Sequence, residues 1–416
     1  MPSSSSAAAV ASVKTQDPKQ AMSNTFVVWM LSLLLGLQPM TTDLYLVSLP
    51  TIREGFHASM VQAQLTLTAL LLAFGCSQLL LGPLSDRFGR RPVLLWGMLA
   101  YVLASIGSAL APSIEMLIFW RTVQGAAMGA GVVCARAIVR DLFNPIEGAR
   151  AMSRALSGLG VIACLSVPLG SVLAQAFGWR WAMTALTVFG VVTFASVLWR
   201  YSESAPAKNM LALQPRTMVR IWWGIVRHPT FITYSALCIV SFGGLFTFLA
   251  GSSFVFIKVL GLSGPQYGLV MFLSSFSYVV GTFASRRLLL AIGVRRTVAI
   301  AGALSLVAGS AMGLLAWNGV QNVATLIGPM ALFMLAHGAH QTCGQSGAVW
   351  PFPQAAGAAS ALNGFFMMLV AFAMGAWLGA NLDANPSAMA YGIWFWCVGI
   401  ALTAWTLVQW YGEPPR

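Results

Sequence analysis

Gly82-Pro-Leu-Ser-Asp86-Arg87-Phe-Gly89-Arg90-Arg91-Pro-Val-Leu-Leu95 sets four charges close together in a chain of which only 8% is charged. On either side lies an apolar run, near 60–82 before it and near 92–111 after it. Each is about the 20 residues a helix needs to cross a ~30 Å hydrocarbon core. Within hydrocarbon every backbone N–H and C=O needs a partner from its own segment, and a helix supplies it. A charged turn between two such runs is the tip of a membrane hairpin. Composition agrees: 58% of the chain is hydrophobic and mean hydropathy is +0.78, whereas a soluble domain carries roughly 25% charged residues.

Extending this reading in both directions predicts an all-α membrane protein of about twelve spans. They fall near 25–49, 60–82, 92–111, 115–138, 152–176 and 180–200, then near 231–257, 266–290, 295–317, 322–348, 356–380 and 388–411. The long connection, 201–230, divides the chain into two six-helix bundles, 25–200 and 231–411, and is read as a linker loop. Residues 1–24 read as a disordered tail and 412–416 as a second, short one. The halves echo each other. Gly281-Thr-Phe-Ala-Ser285-Arg286-Arg287 followed by Gly293-Val-Arg295-Arg296 sits between spans eight and nine, where the first half has Gly82 to Arg91. Related halves facing each other across a central site are a common transporter plan.

Lys and Arg set the orientation, because they accumulate on the cytoplasmic side. Of the 23 basic residues, this layout leaves three outside (Arg53, Arg180, Lys258) and two within the membrane (Arg121, Arg136). The remainder are cytoplasmic, and so are both termini. The net charge of +13 is thus a topology feature rather than a nucleic-acid footprint, since the basic residues form no patch with interleaved aromatics. The Ser/Ala-rich start, with Lys14 and Lys19, lacks the apolar core of a signal peptide. Cys76, Cys134, Cys164, Cys238, Cys343 and Cys397 fall in apolar stretches without CxxC spacing and read as packing residues.

The full stretch from Gly82 to Leu95 resembles the loop between spans two and three of the major facilitator superfamily, where it latches the two halves on the cytoplasmic side. The residues carrying that role here are Gly82, Asp86, Arg87, Gly89, Arg90 and Arg91. Arg121-Thr-Val-Gln124-Gly125 resembles the fourth-span motif of the twelve-span drug:proton antiporters, whose arginine is linked to proton handling. Pro39-Met-Thr-Thr-Asp43-Leu-Tyr45, Arg140-Asp141-Leu-Phe and the 350–363 stretch WPFPQAAGAASALN resemble the bicyclomycin-resistance (Bcr/CflA) type. The fifth-span motif departs from that pattern: Val167-Pro168-Leu169-Gly170-Ser171 keeps the proline but not the paired glycines. The resemblance implies a monomeric carrier in a bacterial inner membrane that exports small, partly apolar compounds against protons. It implies no cofactor beyond the coupling ion.

Asp43 is the only acid in the first apolar segment, where an ionised side chain costs about 2.5–3.5 kcal/mol on insertion scales. That cost makes it the first candidate for a proton site. Counting along the helices places Asp43 about 25 Å above the start of span one and Arg121 about 9 Å below the outer end of span four. Both then lie in the outer half, and an Asp43–Arg121 pair is expected if spans one and four are neighbours. A carboxyl group favours its neutral form when desolvated and its charged form beside a guanidinium. A carrier alternating between such surroundings takes up and releases a proton.

Weaker candidates for substrate contact are Tyr45, which is about 200° round the helix from Asp43, and His337 with His340, which share one helix face. A packed histidine pair is the commoner use of that spacing. Phe242, Phe246, Phe248, Phe254 and Phe256 offer either pocket lining or plain packing. Arg136 reads as a snorkelling residue. No nucleophile–base grouping, metal-ligand spacing or P-loop appears, so an enzyme and an ATP-driven pump are both disfavoured. The competing transporter reading is a carrier for one metabolite, such as an amino acid or nucleoside.

Overall fold

A computed structural model describes residues 22–205, 210 and 212–412. Most of the first tail, Lys208 and residues 413–416 lie outside that range.

Span one, Asn24–Leu46, starts where the Ser23 hydroxyl accepts from the Phe26 N–H. A short helix, Leu49–Gly55, follows it. Span two is Met60–Phe88, span three Arg90–Ala109, span four Ile114–Leu142, span five Pro145–Phe177 and span six Trp179–Arg200. Span seven, Pro229–Ser253, winds on as a π-helix over Phe254–Val259. Spans eight and nine form one continuous 54-residue run, Gly264–Trp317, broken at Gly293. Fifty-four residues extend ~80 Å, more than twice a bilayer core, so this run crosses twice. Span ten is Val323–Val349, span eleven Ala356–Asn381 and span twelve Ala388–Trp405, beyond which Leu407–Tyr411 is a last short turn. Eleven helices among the described residues are long and apolar enough to span, and the break at Gly293 makes them twelve crossings.

Two boundaries differ from the sequence reading. The stretch from Gly82 to Phe88 is helix, not loop: only Gly89 leaves the helical region, at φ 107°. Gly293 does the same between spans eight and nine, at φ 77°, and each glycine is followed by its paired arginines. A left-handed turn needs glycine there, since a Cβ disfavours positive φ. The linker is also not all loop. Pro215–Val226 is a helix, with proline at its first turn and apolar Met218, Ile221, Trp222 and Ile225 recurring at helical spacing.

Six spans form each bundle. Within the first, spans two and three pack on span four, and span five on span one; within the second, spans eight and nine pack on span ten, and span seven on spans ten and twelve. The bundles meet along two seams. Span two lies against span eleven along most of its length, from Val61 beside Gly379 to Gln78 beside Gly364. Span five meets span eight where Ser171 and Pro168 face Gly264 and Gly268. An even number of crossings puts residue 22 and residue 412 on the same face as the linker, here termed the linker side; the opposite face is the distal side.

Candidate functional site

Arg121 is fully buried in the first bundle and, among the described residues, has no carboxylate partner. Its guanidinium donates to Gln124 Oε1 at 2.7 Å, to the Thr41 carbonyl at 3.0 Å and, at 3.4 Å, to the Thr66 carbonyl. It also stacks 4.2 Å from the Tyr45 ring. A lone buried cation is expensive, and these neutral acceptors and the π face replace part of its lost hydration. Gln124 in turn donates to Ser105 Oγ at 2.7 Å, Tyr45 donates to Thr66 Oγ1 at 2.6 Å, and Thr41 and Tyr101 share a 2.7 Å bond. Gly125 brings span four onto the Leu70 carbonyl, a place where any Cβ would collide. Spans one, two, three and four are tied together at this level.

The expected Asp43–Arg121 pair is not made. Arg121 takes Thr41 and Tyr45, which lie four residues apart on one face of span one. Asp43, between them, is turned about 200° away. Depth along the helix was the wrong coordinate; rotation decides the contact. Asp43 is partly exposed, accepts from Thr42 Oγ1 at 2.7 Å and, among the described residues, has no ion-pair partner. It lies within electrostatic reach of Tyr267 of span eight, whose hydroxyl shares a 2.7 Å bond with Ser252 of span seven.

Tyr45, His337 and His340 are buried against partners within their own bundles. His337 Nδ1 bonds Ser241 Oγ at 2.7 Å, and its ring packs against Phe333 and Tyr278. His340 Nε2 lies 3.2 Å from Ser305 Oγ, towards span nine. In this structure all three are packed side chains, as the commoner use of the histidine spacing has it. The span-seven phenylalanines are buried as well. Arg136 is exposed and donates across the interface to Ser360 Oγ of span eleven at 2.5 Å.

The charged stretch builds its network inside the first bundle. Arg90 is buried, pairing with Asp86 at 2.5 Å and Asp141 at 2.9 Å and donating to Ser85 Oγ at 2.7 Å. The backbone N–H groups of Arg90 and Arg91, at the start of span three, donate to the Glu203 carboxylate at 2.9 and 3.1 Å. A carboxylate at a helix N-terminus satisfies orphan donors and meets the favourable end of the helix dipole. Arg91 reaches the Tyr201 and Leu198 carbonyls, and Arg87 lies 5.6 Å from the Phe88 ring. Glu203 escaped the sequence reading, though an acid opening an otherwise basic linker was a visible clue.

Charges bridge the bundles on the distal side. Arg53 forms a two-pronged pair with Asp383, both bonds 2.8 Å, and Glu54 pairs with Lys258 at 2.5 Å. A cavity of ≈ 740 Å³ lies at this seam, lined by Arg53, Glu54, His57, Phe254, Lys258 and Asp383. The sequence reading counted only the cations on this face. Asp383 was findable, because it is the only acid between Glu203 and Glu413.

A family model described as the Major Facilitator Superfamily matches residues 31–376. The chain belongs to this superfamily of membrane transporters. It is 31% identical over 343 residues to multidrug resistance protein D of Escherichia coli, covering 82% of this chain and 85% of that one. It is 27% identical over 393 residues to the bicyclomycin resistance protein homolog of Haemophilus influenzae, covering 92% and 96%. Among solved structures, the xylose transporter XylE of E. coli in a partially occluded inward-open conformation shares the fold with a TM-score of 0.72 at 14% identity, covering 94% of this chain and 98% of that one.

Proposed function

We propose that this chain is a proton-coupled exporter of small, partly apolar drugs or toxic compounds, working by alternating access in a bacterial inner membrane. The linker side is then cytoplasmic, the distal side periplasmic, the working unit a monomer and the proton the only coupling ion. The observation that carries this reading is Asp43: a partly exposed carboxyl group in the distal part of span one, within electrostatic reach of Tyr267 of the other bundle and, among the described residues, without an ion-pair partner. Intramembrane acids of this kind mark ion and substrate pathways. Likeness to two drug-resistance proteins supports the cargo class.

In the proposed cycle Asp43 takes a proton when the bundles part on the distal side and gives it up when they part on the linker side. Arg121 acts as a positioning residue. By holding the Thr41 carbonyl and the Tyr45 ring, it fixes the rotation of span one and so the direction in which Asp43 points. The Arg53–Asp383 and Glu54–Lys258 pairs hold the distal seam shut while cargo enters from the linker side, and both must break before release. The chain does no covalent chemistry in this scheme.

The test is drug susceptibility of an efflux-deficient bacterial host expressing the chain, challenged with bicyclomycin and a panel of unrelated antibiotics. Protection that disappears in Asp43→Asn at equal protein level is the expected result. Equal protection by the Asp43→Asn variant contradicts the role given to Asp43.

A further inference from the structure

Between Glu203 and Asp383 the chain contains no acidic residue. The linker helix Pro215–Val226 falls inside that interval, and Arg216, Arg220 and, just past its end, Arg227 are exposed. Among the described residues none of the three forms an ion pair. On the first bundle the arginine at the matching face is treated differently: Arg90 is neutralised by Asp86 and Asp141.

The helix has two distinct sides. Ile225 is buried, and Trp222 packs with it against Phe231 and Phe352 at the end of the second bundle. Val219 and Trp223, one turn apart, are each more than half exposed, and the Arg227 guanidinium lies 4.2 Å from the Trp223 ring. Helical spacing puts Arg216, Arg220 and Arg227 beside these two on the same outward sector. An outward strip of Val and Trp edged by three unpaired arginines suits a surface that is apolar below and anionic above. Only Arg227 and His228 separate the helix from Pro229, the first residue of span seven. That tether is at most ~10 Å long, which holds the helix at the level of the headgroups.

We infer that the linker helix is a docking surface for anionic phospholipid headgroups of the inner leaflet, with Arg216, Arg220 and Arg227 binding phosphates and Val219 and Trp223 entering the acyl boundary. Interfacial helices bind through such a combination of apolar area and basic charge. Anionic lipid on the cytoplasmic leaflet supplies the complementary field. The inference rests on the proposed orientation, in which the linker faces the cytoplasm, but not on proton coupling or on cargo.

The experiment is native mass spectrometry of the full-length detergent-purified chain, titrated with phosphatidylglycerol and phosphatidylcholine. Each arginine near the surface contributes about fivefold to binding, so three give on the order of a hundredfold. The wild type is expected to prefer phosphatidylglycerol. R216Q/R220Q/R227Q is expected to lose most of that preference, and R216K/R220K/R227K to retain it. An undiminished preference in the glutamine variant overturns the inference, and so does equal loss in both variants, because lysine preserves the charge. Labelling of Gln214→Cys in intact cells with a membrane-impermeant maleimide, against the unmodified chain as control, separates the orientation from the lipid contact. Protection from outside is expected. Reaction from outside places the helix on the wrong leaflet and overturns both the orientation and this inference, whatever the transport assays show.

Discussion

The two bundles share a plan and differ in charge. Each turns between its second and third spans on a glycine at positive φ, Gly89 in one and Gly293 in the other, followed by two arginines. In the first bundle those arginines meet Asp86, Asp141 and Glu203 in a network around the buried Arg90–Asp141 pair. In the second, Ser285 stands where Asp86 would be, and the Arg295 Nε is buried without a hydrogen-bond partner among the described residues. The intramembrane acid and the fully buried arginine also belong to the first bundle alone. A repeated fold therefore constrains backbone turns and packing, while ionic chemistry has concentrated in one copy. The second bundle contributes a single acid, Asp383, and uses it to bridge to the first.

The largest difference is expected at the polar centre of each bundle. Asp43→Asn should abolish proton-coupled transport at unchanged protein level, whereas His337→Ala and His340→Ala should leave coupling intact and lower stability alone. Transport by each variant under an imposed pH gradient, with protein level measured in parallel, checks this contrast. Loss of coupling in a histidine variant would erase the distinction between the bundles.

Next come the matched arginines. Arg90→Gln leaves Asp141 buried without its cation, a loss of about 3–5 kcal/mol for a broken buried pair. Its counterpart Arg295→Gln removes a side chain with no ion pair among the described residues and should cost about 1 kcal/mol or less. Thermal unfolding of the two purified variants gives the comparison directly, and equal destabilisation would mean that the networks are not asymmetric in energy. Arg121→Ala should cost about 2–4 kcal/mol by emptying a packed site and leaving Gln124 unsatisfied. Arg121→Lys should recover little of this, since an ammonium lacks the planar fork that serves three acceptors and the Tyr45 face.

The smallest effect is expected at the bridge between bundles. Arg53 and Asp383 are partly exposed, and pairs of this kind contribute about 0.2–1 kcal/mol. Asp383→Asn should shift the balance towards distal opening by no more than about fivefold. Faster reaction of a cysteine placed at His57 with a water-soluble maleimide would register that shift; unchanged reactivity would mean the pair does not hold the seam.

Much of this plan was legible in the sequence because membrane spans are set by length and hydropathy, which are one-dimensional quantities. The twelve crossings, the break at Gly293 and the repeat of the glycine and twin arginines could all be read along the chain. Contacts that depend on rotation could not. Asp43 and Arg121 share a depth, but two residues of offset turn Asp43 away while Thr41 and Tyr45 take the arginine. The histidines share a helix face by spacing, yet His337 meets span seven and His340 meets span nine, because neighbours on both sides decide what a side chain touches. The linker helix was obscured by its arginines, which read as loop charge until the apolar spacing of Met218, Trp222 and Ile225 is set beside them.

The most direct measurement is proton movement in proteoliposomes, followed with an internal pH dye while a transported antibiotic is added under an imposed gradient. The expected result is cargo moving opposite to protons in the wild type, with both fluxes absent in Asp43→Asn. Cargo moving at the same rate with the gradient collapsed, or equally fast in Asp43→Asn, would contradict proton coupling through this residue.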